Sequence, residues 1–286
     1  MADPRVDCVA FTGSVATGKA IAKTCAERVA RINLEMGGKD PFIVCADVAD
    51  DVRTAARGGA WAAYLNAGQV CTSAERFYVM EPVYDEFVSE FVDYTESLVL
   101  GDPLDERTDV GPMVSADQRR KVAEQVEAAV AAGAEVVTGG PQAGGPSQGH
   151  FFSPAVVTGA PADTDLLREE TFGPVAPIVA VRSLDEAIEL ANGTRYGLGA
   201  TVYTRDLATV VRCLHEIKAG TLWFNDPLTD NDAGPFGGYK QSGLGRELGQ
   251  EGLEAFQETK HVHIESSLAP KPWWYPYAPG APAPPE

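Results

Sequence analysis

Short apolar runs of strand length alternate along this chain with longer stretches whose apolar residues recur every three or four positions. That alternation predicts an α/β fold with a largely parallel sheet, because a strand followed by a helix returns to the sheet in the same direction. VDCVAFTG (residues 6–13) leads into a helical stretch over 16–30 and then RINLEMGG (31–38), a strand–helix–strand unit that begins almost at Met1. PFIVCADV (41–48) follows, with a helix from about Asp50 to Asn66, the strand ERFYVMEP (75–82) and a helix over 83–99. Ser115 is placed to cap a helix that stops at Gly133. The glycine- and proline-rich stretch 139–149 predicts a surface loop. Two further strand–helix pairs cover 176–193 and 199–220, and TLWFND (221–226) is a last strand of that series. Residues 270–286 hold seven prolines and predict an extended tail.

Composition narrows the class. The 286 residues, 44% hydrophobic, suffice for one large or two modest cores. No apolar run approaches the roughly 20 residues of a membrane span, and the start lacks a basic-then-apolar signal, so a cytoplasmic protein with no membrane partner is expected. With 41 acidic against 23 basic residues the formal charge is −18, which disfavours nucleic acid as a partner. The five cysteines, Cys8, Cys25, Cys45, Cys71 and Cys213, are odd in number and form no CxxC pair, arguing for reduced thiols rather than disulfides or a zinc knuckle. His261 and His263 would share one face of a strand, but no third ligand stands near, and no metal site is expected.

Five strings carry candidate chemistry. In FTGSVATG (11–18) a strand ends at a glycine and a helix begins at once, so free amides and the helix dipole can meet a phosphate. Its G-x4-G spacing falls short of a full dinucleotide fingerprint, and Lys19 does not make it a P-loop. NLEMGGKDP (33–41) puts Glu35 at the end of an apolar strand, where desolvation would raise its pKa toward that of a general base; a solvent-facing or lysine-paired glutamate is the plainer alternative. NAGQVCTSAER (66–76) sets Cys71 in a polar turn, while the other cysteines lie in apolar segments, so Cys71 is the candidate for a reactive thiolate. REETFGPVAP (168–177) reads alone as a charged loop. GPFGGYKQSGLGRELG (234–249) reads as a mobile loop or a glycine-rich connection.

Taken in order and spacing, these strings resemble the aldehyde dehydrogenase superfamily over about residues 6–264. LEMGGKDP is similar to the family's glutamate signature, GQVC to its cysteine signature, and EETFGPV and PFGGYKQSGLGRELG to further family marks. The resemblance implies an aldehyde dehydrogenase-like catalytic domain with a parallel sheet plus a partial Rossmann-like βαβ unit. Residues 1–37 would be a remnant of the NAD(P)-binding domain and 38–238 the catalytic domain. Residues 239–286 would hold a C-terminal helix (246–258), an oligomerisation strand (259–264) and the proline-rich tail. It also implies Cys71 as nucleophile and Glu35 as base, with Gly13, Ser14 and Gly18 near the phosphates of NAD or NADP. Gly37 would line the nicotinamide side, Gln118 and Glu170 would contact ribose, and Phe172 would pack at the nicotinamide end.

The chemistry follows from these types: a thiolate adds to an aldehyde, hydride leaves, and water activated by Glu35 hydrolyses the thioester to a carboxylic acid. A branch of the family that passes the acyl group to coenzyme A lacks the glutamate, so Glu35 favours water. Family members carry a long portion ahead of the position of Met1, including the asparagine of the oxyanion hole. The chain is therefore expected to be a truncated product, a remnant, or one half of a split enzyme joined by a separately encoded N-terminal portion, with aldehyde oxidation by the chain alone impaired. A small-molecule aldehyde and a homo-oligomer are the expected partners. A non-catalytic structural subunit is the competing reading, and a Cys–His hydrolase using His150 or His215 a weaker one.

Overall fold

Ser14 closes the first strand and opens the first helix in the computed structural model, which describes residues 1–141, 146, 148–271 and 273–275. β1 (Cys8–Gly13) runs into α1 (Val15–Ala26), whose first turn is capped by the Ser14 hydroxyl accepting the Thr17 amide, and β2 (Arg31–Met36) returns parallel to β1. β3 (Asp40–Val44) and β4 (Ala74–Met80) flank α2 (Val52–Tyr64), and α3 (Glu81–Ser97) follows. α4 (Ala116–Ala131) begins at the predicted cap, Ser115 accepting the Gln118 amide, and ends before Gly133, whose φ of +110° suits glycine. β5 (Glu135–Gly140), β6 (Ser153–Thr158), α5 (Asp165–Arg168), β7 (Val175–Val181) and α6 (Leu184–Asn192) come next. β8 (Gly199–Tyr203), α7 (Leu207–Glu216), β9 (Thr221–Phe224), β10 (Gly243–Leu244) and α8 (Gly249–Glu254) complete the order.

Two sheets result. One has the order β1-β2-β10, with β10 antiparallel to β2; the other has the order β5-β6-β7-β4-β3-β8-β9 and is parallel apart from the β5–β6 pair. The alternating faces of the central strands build two cores. Phe42, Val44, Phe77 and Val79 face α2 and α3, where Phe87 and Phe91 meet them; Ile43, Tyr78 and Val202 face α6 and α7. Burial on both faces is why these strands read as unbroken apolar runs. The chain divides into two compact units, Met1–Phe256 and Gln257–Glu286. Among the described residues no helix is long and apolar enough to cross a membrane.

Several expectations are corrected. Gly139 and Gly140 belong to β5 rather than to a loop, because β5 and β6 form an antiparallel pair around the stretch; residues 142–145 and 147 lie outside the described residues. The glycine-rich segment 234–249 is not an idle connection: it contributes β10, which pairs Gly243 with Glu35. The C-terminal helix is confined to Gly249–Glu254; residues 259–264 pair with no strand of this chain among the described residues, which leaves the expected pairing with a neighbouring subunit as it stood. The tail from 276 onward, and residue 272, lie outside the described residues.

Candidate active site

A cleft of about 320 Å³ opens where β1 and β2 end and β3 and β4 begin. Gly13 and Ser14 line it from the start of α1, Glu35 and Gly37 from the end of β2, and Cys71 from the turn before β4. Gln118 reaches it from α4, and Glu170 and Phe172 from the loop after α5. Of the candidate residues only Gly18 stands apart. It is buried in α1, where an added Cβ would lie 2.2 Å from Met36 Sδ, so its place is set by helix–strand packing.

Glu35 is 3% exposed, and neither carboxyl oxygen has a hydrogen-bond partner among the described residues. Burial, reinforced by Glu247 and opposed by Arg246, pushes its pKa up to about 8. Its backbone is held by β10 and by Ser242, which donates to the Gly37 carbonyl at 2.8 Å and accepts the Gly197 amide at 3.0 Å. The two glycines after Glu35 have a spatial cause. A Cβ at Gly37 would fall 2.0 Å from Glu170 Oε1, and one at Gly38 would fall 2.7 Å from the Cys71 carbonyl oxygen. Only bare backbone lets the Cys71 turn and the Glu170 loop close on the Glu35 turn together.

The approach to Cys71 is a run of left-handed backbone: Asn66, Ala67 and Gly68 have φ of 52°, 56° and 69°. Reciprocal bonds hold it, Asn66 Nδ2 to the Gln69 carbonyl at 3.1 Å and Gln69 Nε2 to the Asn66 carbonyl at 3.0 Å. Gly68 seats on the Gly173 backbone, where a Cβ would lie 2.3 Å away. The expectation of a ready thiolate is corrected. The amides of Cys71 and Thr72 do pull the thiol down, but burial and then the Asp40 carboxyl outweigh them and push it up to about 11. Of the other cysteines, Cys25, Cys45 and Cys213 are buried and Cys8 is half-buried.

Gln118 Nε2 donates to the carbonyls of Thr171 and Phe172, at 3.0 and 2.9 Å, holding a loop in which Phe172 has φ of 54°. Burial, then Glu75, raises the Glu170 carboxyl to about 7, while Lys121 and the Gly38 amide draw it down. Lys121 was not foreseen; it lines the cleft and donates to the Glu170 carbonyl at 2.8 Å. Its spacing of three from Gln118 on one helix face is the signal that would have found it. Also missed were the charges that open the two central strands, Lys39–Asp40 and Glu75–Arg76, all buried. Lys39 pairs with Glu75 at 2.7 Å, and Arg76 donates to the carbonyls of Lys39, Leu190 and Ala191. No histidine lines the cleft among the described residues, and none of their His, Cys, Asp and Glu side chains groups in threes fit to hold a metal.

The fold and the cleft define a class: an α/β protein that gathers a cysteine and buried carboxyls at strand ends beside a helix N-terminus. Comparison with known proteins narrows it, and the chain belongs to the aldehyde dehydrogenase family, whose model matches residues 1–262. It is 43% identical over 267 residues to the succinate-semialdehyde dehydrogenase [NADP(+)] of Mycobacterium avium, covering 93% of this chain and 55% of that one. It is 40% identical over 268 residues to the mitochondrial aldehyde dehydrogenase of Leishmania tarentolae, covering 93% and 53%. Among solved structures, the NAD-dependent aldehyde dehydrogenase of Sinorhizobium meliloti superposes with a TM-score of 0.91 at 41% identity, covering 96% of this chain and 54% of that one. The chain thus spans about half the length of the relatives it matches.

Proposed function

We propose that this chain carries the nucleophile and the general base of an aldehyde dehydrogenase that oxidises a small aldehyde to a carboxylic acid with NAD or NADP. The observation that carries the reading is the meeting in one cleft of Cys71 with a buried Glu35 whose carboxyl accepts no hydrogen bond among the described residues. Cys71 gives up its thiol proton to solvent as Sγ adds to the aldehyde carbon, and the developing oxyanion lies beside the Cys71 amide. A bound nicotinamide supplies the hydride acceptor. Gly13 and Ser14, at the N-terminus of α1, suit its phosphates; Gln118 and Glu170 suit ribose hydroxyls, and Gly37 and Phe172 the ring end. Glu35 then takes a proton from water, which attacks the Cys71 thioester and releases the acid and the thiol. A carboxyl near 8 is matched to that step from neutral to mildly alkaline pH. The free thiols suit a reducing cytoplasmic setting, and assembly as a homo-oligomer belongs to the same reading.

The test is rapid mixing with a panel of aldehydes and either cofactor. Glu35→Gln should give a burst of reduced cofactor followed by a slow steady state, and Cys71→Ser should abolish both phases. Equal loss of burst and steady state in Glu35→Gln would remove Glu35 from the hydrolytic step.

A further inference from the structure

One buried carboxylate joins three of the segments that line the cleft. Glu75 follows Cys71 by four residues, Lys39 follows Glu35 by four, and Thr171 and Phe172 directly follow Glu170. Glu75 and Lys39 are 2% and 1% exposed. Glu75 Oε2 accepts from Lys39 Nζ at 2.7 Å and from the Thr171 amide at 2.8 Å, and Oε1 accepts from the Phe172 amide at 2.8 Å. Lys39 Nζ also donates to Thr171 Oγ1 at 2.8 Å. Two successive amides aimed at one carboxylate fix the planes of both peptides.

The loop needs such a hold. Phe172 lies in the left-handed region at φ 54°, which a bulky residue keeps only where its surroundings enforce it. Gln118 grips its carbonyl from one side, and Glu75 its amide from the other. Lys39 has a matching part, because a carboxylate at this depth without a counter-charge would be strongly disfavoured.

We propose that Glu75, with Lys39 as its counter-ion, is a positioning residue that holds the Glu170–Phe172 segment in the conformation lining the cleft. The value of that wall to catalysis rests on the function proposed above, but the hold itself is measurable in a chain with no turnover. Residue-resolved amide exchange on the full chain and on Glu75→Gln tests it. The glutamine keeps one acceptor and turns an amide donor toward the other peptide, so exchange at Thr171 or Phe172 should quicken about tenfold or more, with β4 and β7 unchanged.

A second readout separates positioning from general support. Glu75 is the largest charge raising Glu170, so the Glu170 titration midpoint, followed by carboxyl carbon-13 resonances, should fall below its value of about 7. If Glu75→Gln folds poorly because Lys39 is stranded, the Lys39→Met/Glu75→Gln pair removes both charges and should still exchange fast at 171 and 172. Unchanged exchange there, quickening shared equally by β4 and β7, or recovery of slow exchange in the double variant would overturn the proposal. Absence of turnover with these amides protected by Glu75 would instead count against the proposed function alone.

Discussion

Replacing Glu35 by glutamine should stabilise the fold at alkaline pH and leave it almost unchanged in acid. The fold raises this carboxyl from its ordinary 4.5 to about 8, chiefly through burial. Between those values the folded chain keeps a proton that the unfolded chain has released. Stability from this group is therefore complete below about 4.5, declines as pH rises, and is fully lost above about 8. Each tenfold in proton affinity is about 1.4 kcal/mol, which sets an upper limit of roughly 5 kcal/mol. Because the carboxyl lies on the wall of a cleft that water can enter, a net effect of about 2 kcal/mol is the working figure. Denaturant unfolding of both chains from about pH 4 to pH 9 measures it. The difference should open between about 4.5 and 8 and then level off, with Glu35→Gln the more stable at the alkaline end. A difference that stays flat, or that favours the wild type increasingly as pH rises, would refute the claim that burial holds the Glu35 carboxyl above its ordinary value.

Cys71 should react with iodoacetamide at a rate that climbs about tenfold per pH unit through neutrality and levels only toward about 11, because its thiol is held neutral by burial. Peptide mapping across pH checks this, and a rate already level near pH 7 would contradict it. Gly68→Ala should destabilise the chain by about 2–4 kcal/mol in thermal or denaturant unfolding, since its Cβ would strike the Gly173 backbone at 2.3 Å and φ is +69°. A loss below about 0.5 kcal/mol would mean that the contact between the Cys71 approach and the Phe172 loop is slack.

What the sequence disclosed was mostly local. The caps at Ser115 and Gly133, and the helix beginning at once after Gly13, depend on neighbours within one turn. The central strands were legible because burial on both faces leaves continuous apolar runs. What stayed hidden depends on distant partners. The reading of Cys71 as a ready thiolate rested on its polar turn, whereas burial and the Asp40 carboxyl at the start of β3 push the thiol up. Lys39 and Glu75 stood in strings already singled out, yet nothing in either string says that the two side chains meet across 36 residues. Glu170 in isolation belonged to a charged loop; the bare backbone of Gly37 is what leaves room for its carboxyl in the cleft. The strands β5 and β6 escaped because a glycine-rich link sits between them and Pro154 interrupts the second.

The central claim is that Cys71 takes an acyl group and Glu35 directs water to remove it, and an activated ester isolates those two steps from any cofactor. The chain and its Glu35→Gln variant would be mixed with p-nitrophenyl acetate near pH 8, digested, and mapped by mass spectrometry. An acetyl group should build up to about one per chain on the Cys71 peptide of the variant, while the wild type releases it and turns over. Acetylation centred on another residue, or acetyl-Cys71 persisting equally in both chains, would contradict the account.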